Sequence, residues 1–228
     1  MRNPILVAID TTDLSHAQQL AKIVHPNVGG IKLGLEFFMR HGVEGVKRVS
    51  NGIPLFLDLK FHDIPNTVAG AIRALEGVNC FLITVHAAGG NAMLQAAKEA
   101  AQTLAPTPEV VAVTVLTSLD QQDLNSIGVA QSAEAQALNL AKLAQSSGVD
   151  GIVCSPHEVA SIRRGLGQDF TLVTPGIRPA GAPTGDQKRV MTPKEAVEAG
   201  SNWLVIGRPI TQSEDPAAAA ETIWQSLS

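Results

Sequence analysis

Short apolar runs rich in β-branched residues alternate along this chain with longer stretches in which apolar positions recur at helical spacing. The runs at 4–9, 30–34, 54–59, 80–85, 110–116, 151–154, 170–174 and 203–206 predict strands. Helical patterns at 14–24, 36–50, 66–76, 133–145 and 157–164 fall between them, with an Ala-rich helix running to Leu104 and another closing the chain. The stretch between Ser118 and Ala133 reads as a polar connection. About eight β-then-α units in one chain are what a parallel (β/α)8 (TIM) barrel of the α/β class requires. An open doubly wound sheet competes, but no Gly-x-Gly-x-x-Gly turn follows the first strand. No linker, low-complexity tract or composition break divides the chain, so residues 1–228 are expected to form a single domain.

The third strand ends in Asp58-Leu-Lys-Phe-His-Asp63. Strand alternation sends Phe56, Asp58 and Lys60 to one face and Leu55, Leu57 and Leu59 to the other. Desolvating two opposite charges costs several kcal/mol per ion and seldom stabilises a fold, so this pair reads as a site. Asp63 precedes a helix with Pro65 in its first turn, and a plain N-cap is the alternative reading for it. In a parallel barrel all strand ends meet on one face. Asp10, Lys32, His86, Thr117, Arg178 and Arg208 occupy the other ends, with His86 read as a hydrogen-bonded support for the site.

Composition narrows the chemistry. A net charge of −4, 4% aromatic residues and no Tyr argue against a nucleic-acid-binding surface. Cys80 and Cys154 sit in or beside apolar runs, as buried free thiols in a reducing compartment do. The apolar run at the start is too short for a signal peptide, and no stretch of about 20 apolar residues is available to span a bilayer. A soluble cytoplasmic protein is expected. No His-x-His or Cys-x-x-Cys spacing points to zinc, and neither a metal nor a cofactor is expected.

The last two units suggest a phosphate. Loops after the seventh and eighth barrel strands commonly bind one. Gly207 permits close backbone approach, and Arg178 and Arg208 can make forked contacts with an anion. The segment 178–189 is rich in Gly and Pro and long for a βα loop. It reads either as a lid or as a tolerant exposed loop.

With these motifs in order, the chain resembles the orotidine 5′-phosphate decarboxylase family from end to end. The resemblance rests on Asp58-Leu-Lys-Phe-His-Asp-Ile-Pro-Asn-Thr67, Val113-Thr-Val-Leu-Thr-Ser118, Thr174-Pro-Gly-Ile-Arg178, Asp186-Gln-Lys-Arg189 and Val205-Ile-Gly-Arg-Pro-Ile210. It implies metal-free decarboxylation of orotidine 5′-monophosphate to uridine 5′-monophosphate, the last step of de novo pyrimidine nucleotide synthesis. By resemblance Lys60 donates a proton to C6, within a charged array that Asp58, Asp63 and Lys32 complete. Asp10, Lys32 and Thr67 bind the ribose, Thr117 and Ser118 lie at the pyrimidine end, and Arg178, Gln187, Gly207 and Arg208 clamp the phosphate. The resemblance also implies a homodimer in which Asp63 and Thr67 enter the neighbouring subunit's site. Two other readings are a metal-dependent sugar-phosphate decarboxylase or epimerase on the same barrel, with Glu36 as the candidate metal-binding acid, and a non-catalytic nucleotide-binding protein.

Overall fold

Eight short strands pair side by side in chain order and close on themselves, β8 pairing with β1, every pair parallel. The computed structural model describes residues 2–179 and 190–227. The strands are β1 (Ile5–Ile9), β2 (Gly30–Gly34), β3 (Leu55–Phe61), β4 (Cys80–His86), β5 (Glu109–Val113), β6 (Gly151–Val153), β7 (Thr171–Thr174) and β8 (Trp203–Ile206). The helices are α1 (Leu14–Val24), α2 (Leu35–Ser50), α3 (Pro65–Arg73), α4 (Gly90–Ala101), α5 (Gln121–Ser126), α6 (Ala133–Ser146), α7 (Val159–Leu166), α8 (Pro193–Ala199), α9 (Arg208–Thr211) and α10 (Pro216–Gln225). This is the (β/α)8 barrel expected from the pattern. No helix among the described residues is long and apolar enough to cross a membrane.

Strand alternation builds two apolar layers. Leu6, Ala8, Phe56, Leu82, Val111, Val173 and Val205 fill the barrel interior. Their strand neighbours, among them Val7, Ile9, Leu55, Leu57 and Leu59, face outward and pack under helix residues such as Leu20, Phe37, Ile72 and Leu94. At the N-terminal end of the barrel the exposed Arg2 lays its guanidinium 4.3 Å from the Trp203 ring and 5.7 Å from that of Phe81. Both cysteines are buried and neither forms a disulfide among the described residues; burial pushes the Cys80 thiol up to about 11.

Differences from the expected elements have local causes. The helix expected over 36–50 is broken at Gly42, where φ is +57°. The polar connection contains α5, started by Asp120, whose carboxylate accepts from the backbone N–H groups of Gln122 and Asp123. Helix α8 was not expected; Thr192 and Glu195 cap it reciprocally, with Pro193 in its first turn. Asp63 is not the N-cap of α3. Pro65 forces the preceding residue into extended backbone, so Ile64 takes the cap position with ψ of 151°.

Arg163 shows how the N-terminal face is held. From the buried side of α7 its guanidinium donates to the carbonyls of Gly167, Gln168, Phe170 and Gly200 at 2.7–3.1 Å, and to Asn202 Oδ1. Those carbonyls belong to the chain entering β7 and β8. Arg163→Ala should cost about 3 kcal/mol through unsatisfied buried acceptors. For a chain of this size that lowers Tm by roughly 6–12 °C. Thermal unfolding checks the loss, and specific activity per folded molecule should be unchanged.

Candidate active site

The polar strand ends gather where expected, at the C-terminal mouth of the barrel. A cavity of about 470 Å³ opens there, lined by Asp10, Lys32, Asp58, Lys60, Thr117, Arg178, Gly207 and Arg208. Its floor is apolar, formed by Ala8, Phe56, Val113, Val153 and Val205.

Strand β3 supplies the centre. Lys60 Nζ lies 2.8 Å from both carboxylate oxygens of Asp58. Lys32 Nζ, from the middle of β2, stands 3.6 Å from Asp58 Oδ2 and 3.3 Å from Asp10 Oδ1. Gly34 leaves room for this: a Cβ there would sit 3.3 Å from the Lys32 ammonium and 3.7 Å from Asp10 Oδ1. Two lysines therefore bracket one buried carboxylate, and an exposed one holds the second lysine.

The backbone under Lys60 is not regular strand. Leu57 pairs with Ile83 and Phe61 with Val85, so β3 spends four residues where β4 spends two. Within that bulge Lys60 has φ of +49°, the one positive-φ residue other than glycine among those described. Such a conformation costs about 1–3 kcal/mol and clusters at functional sites. Burial opposes ionisation of Asp58, but the fields of Lys32 and Lys60, with hydrogen bonds from Lys60 and Thr84, hold its carboxyl below the usual range. The site thus keeps a buried carboxylate charged against two ammonium groups.

Not every expected residue joins this group. Asp63 and Thr67 are exposed and do not line the cavity; Asp63 Oδ1 accepts from the N–H of Ile64 at 2.6 Å. Ser118 is exposed beside the cavity-lining Thr117. Glu36 lies exposed in the first turn of α2, outside the lining. Gln187 and most of the segment 178–189, read as a lid or a tolerant loop, lie outside the described residues. The described residues on either side of 180–189 meet, with Ile177 bridged to Met191 and the Arg178 N–H donating to the Met191 carbonyl at 3.0 Å.

His86 differs from its expected role as a hydrogen-bonded support. Its Nδ1 is buried with no partner among the described residues, and its ring stacks on His62 at 5.1 Å. Burial, with His62 and Lys60 nearby, holds its pKa below the ordinary value.

Among the described residues no three of His, Cys, Asp or Glu are grouped so as to hold a metal ion. Sequence reasoning missed Thr84, which hydrogen-bonds both Lys60 and Asp58, and Thr211 and Gln212, which line the cavity beyond Arg208. A lone threonine inside the apolar run of β4 was the available signal for the first.

Residues 3–223 match the model of the orotidine 5′-phosphate decarboxylase / HUMPS family. The chain is 55% identical over 230 residues to orotidine 5′-phosphate decarboxylase of Rhodospirillum rubrum, covering 97% of this chain and 93% of that one. It is 53% identical to the protein of that name from Novosphingobium aromaticivorans, over the full length of both. Among solved structures, orotidine 5′-phosphate decarboxylase from Lactobacillus acidophilus superposes with a TM-score of 0.88 at 39% identity, covering 99% of each chain.

Proposed function

The chain belongs to the orotidine 5′-phosphate decarboxylase family, and from that premise we propose that it converts orotidine 5′-phosphate to uridine 5′-phosphate and CO2 in pyrimidine nucleotide synthesis. The observation that carries the reading is the Lys60 ammonium, 2.8 Å from both Asp58 oxygens in a cavity whose far wall bears Arg178 and Arg208. Strand β3 lies across the barrel from β7 and next to β2, so charged chemistry and anion binding sit on opposite walls.

The bond that breaks joins C6 of the pyrimidine to its carboxylate, and the electron pair stays on C6 with no conjugated sink. Lys60 stabilises that developing charge and then transfers its proton to C6, giving the C6–H of the product. Asp58 keeps Lys60 charged and oriented. Lying close to the substrate carboxylate it also raises the ground state: two unit charges at ~4 Å repel by roughly 4 kcal/mol at an effective dielectric of about 20. Asp10 and Lys32 hold the ribose, and Thr117 and Ser118 meet the pyrimidine. Arg178, Gly207 and Arg208 clamp the phosphate, joined by Gln187. Binding energy from this remote phosphate helps to organise the reacting centre.

We assign Asp63 and Thr67 to the site of a second copy in a homodimer. Both are exposed in one chain and lie off its own cavity. Leu35 and Met39 at the start of α2, and Ile64 just before α3, are apolar side chains 50%, 80% and 66% exposed. Burial of such side chains is what a stable self-association gains from. A reducing cytoplasm is the matching compartment for two buried cysteines that form no disulfide among the described residues. The sugar-phosphate alternative is not favoured: Lys32 of β2 lines the cavity, and Glu36 lies outside it.

Substrate recognition tests the assignment. Wild-type protein should turn over orotidine 5′-phosphate far faster than unphosphorylated orotidine. Arg208→Ala should lose about 1.5–3 kcal/mol of binding for the phosphorylated nucleotide alone. Equal losses for both ligands would place Arg208 in folding or ring binding instead. Ultraviolet turnover assays and calorimetry with uridine 5′-phosphate and uridine read the two effects.

A further inference from the structure

We propose that Thr84 is a positioning residue for the decarboxylation, a single buried hydroxyl that locks Asp58 and Lys60 into register with each other. The inference rests on the reading of those two residues as the reacting pair. Thr84 faces the barrel interior from the middle of β4, is fully buried and does not line the cavity, so it acts through its neighbours.

Its Oγ accepts from the backbone N–H of Lys60 at 2.8 Å and donates to Asp58 Oδ1 at 3.0 Å. A threonine hydroxyl has one proton to give, so the donor goes to the carboxylate and a lone pair serves the amide. One atom thereby ties a backbone position to a side chain two residues earlier.

That link sits where the β3–β4 ladder is interrupted. Between the Leu57–Ile83 and Phe61–Val85 pairs, Thr84 is the β4 residue opposite the three bulged residues of β3. A regular parallel partner would offer Lys60 a backbone carbonyl. Here the bulge interrupts that ladder at Lys60, and the Thr84 hydroxyl takes the carbonyl's place. Asp58 Oδ1 then receives Thr84 and Lys60, while Oδ2 faces Lys60 and Lys32. The neutral donor sets the rotation of the carboxylate plane, and the Lys60 ammonium, bonded to both oxygens, follows it.

Three variants separate positioning from packing. Thr84→Val keeps shape and burial but has neither proton nor lone pair, leaving the Lys60 N–H without a partner. It should lower kcat by roughly tenfold to a hundredfold, the range a displacement near 1 Å produces, while KM and uridine 5′-phosphate affinity stay within about threefold. Thr84→Ser keeps the hydroxyl and should restore kcat to within about threefold of wild type. Amide hydrogen exchange at Lys60 should quicken in Thr84→Val and not in Thr84→Ser. If Thr84→Val fails to fold, Thr84→Cys, of similar size with a feeble hydrogen-bonding group, replaces it with the same expectation. Wild-type kcat in the valine or cysteine variant, or a serine variant as impaired as they are, overturns the role. A wild-type protein that does not decarboxylate orotidine 5′-phosphate fails the functional reading instead, so the two failures are distinct.

Discussion

Replacing Lys60 by alanine is expected to lower decarboxylation by roughly 10⁴-fold or more while leaving product binding nearly intact. Two contributions vanish together. A positioned proton donor is worth about 10²–10⁴-fold, and a charge aimed at a developing anion contributes roughly 10²–10³-fold. Among the described residues the other lysine lining the cavity does not take over, because Lys32 stands between Asp10 and Asp58 on the adjacent strand. Alanine tolerates the backbone at this position no worse than lysine does, and Asp58 keeps its contacts with Lys32 and Thr84. Circular dichroism and uridine 5′-phosphate affinity should therefore stay close to wild type. Activity within tenfold of wild type would remove Lys60 from the proton-donor role.

Asp63→Ala should also be nearly inactive, and its defect should be curable by a different inactive variant. In one chain the Asp63 side chain is exposed, turned back onto the N–H of Ile64, and away from the cavity holding Lys60. If each site takes Asp63 from a second copy, a heterodimer of Lys60→Ala and Asp63→Ala collects both defects in one site. Its other site has native Lys60 and native Asp63. Random exchange makes half of all dimers mixed, so roughly a quarter of all sites regain full function. If Asp63 served its own chain, every site would carry one defect and mixing would restore nothing. Absence of recovery after confirmed subunit exchange would sink the shared site.

The barrel was legible because its strands are short apolar runs, and the period-two alternation of β3 correctly sent Asp58 inward and Leu57 outward. Charges at the ends of such strands stand out against their burial, which is how Asp10, Lys32, Arg178 and Arg208 were found. Alternation also put Lys60 beside Asp58, but by a route the chain does not take. The bulge and the positive φ at Lys60 arise from pairing with β4, a long-range contact that no local pattern records. Thr84 offered only the weak signal of one polar residue in an apolar run, since its importance lies across strands. Helix α8 is a different kind of miss. Thr192-Pro-Lys-Glu195 is a capping box with proline at the first position, readable in the sequence but overshadowed by the loop before it. Asp63 as a cap failed because Pro65 dictates the backbone of Ile64, moving the cap by one residue.

The central claim is that the lysine-bracketed carboxylate of β3 carries out this decarboxylation without help from a divalent cation. Incubating the purified protein with excess chelator and following orotidine 5′-phosphate by ultraviolet absorbance, with uridine 5′-phosphate and CO2 both quantified, tests it most directly. The account predicts an undiminished rate and one uridine 5′-phosphate formed per CO2 released. Turnover that stops with chelator and returns with magnesium, or no turnover of this nucleotide at all, would contradict it.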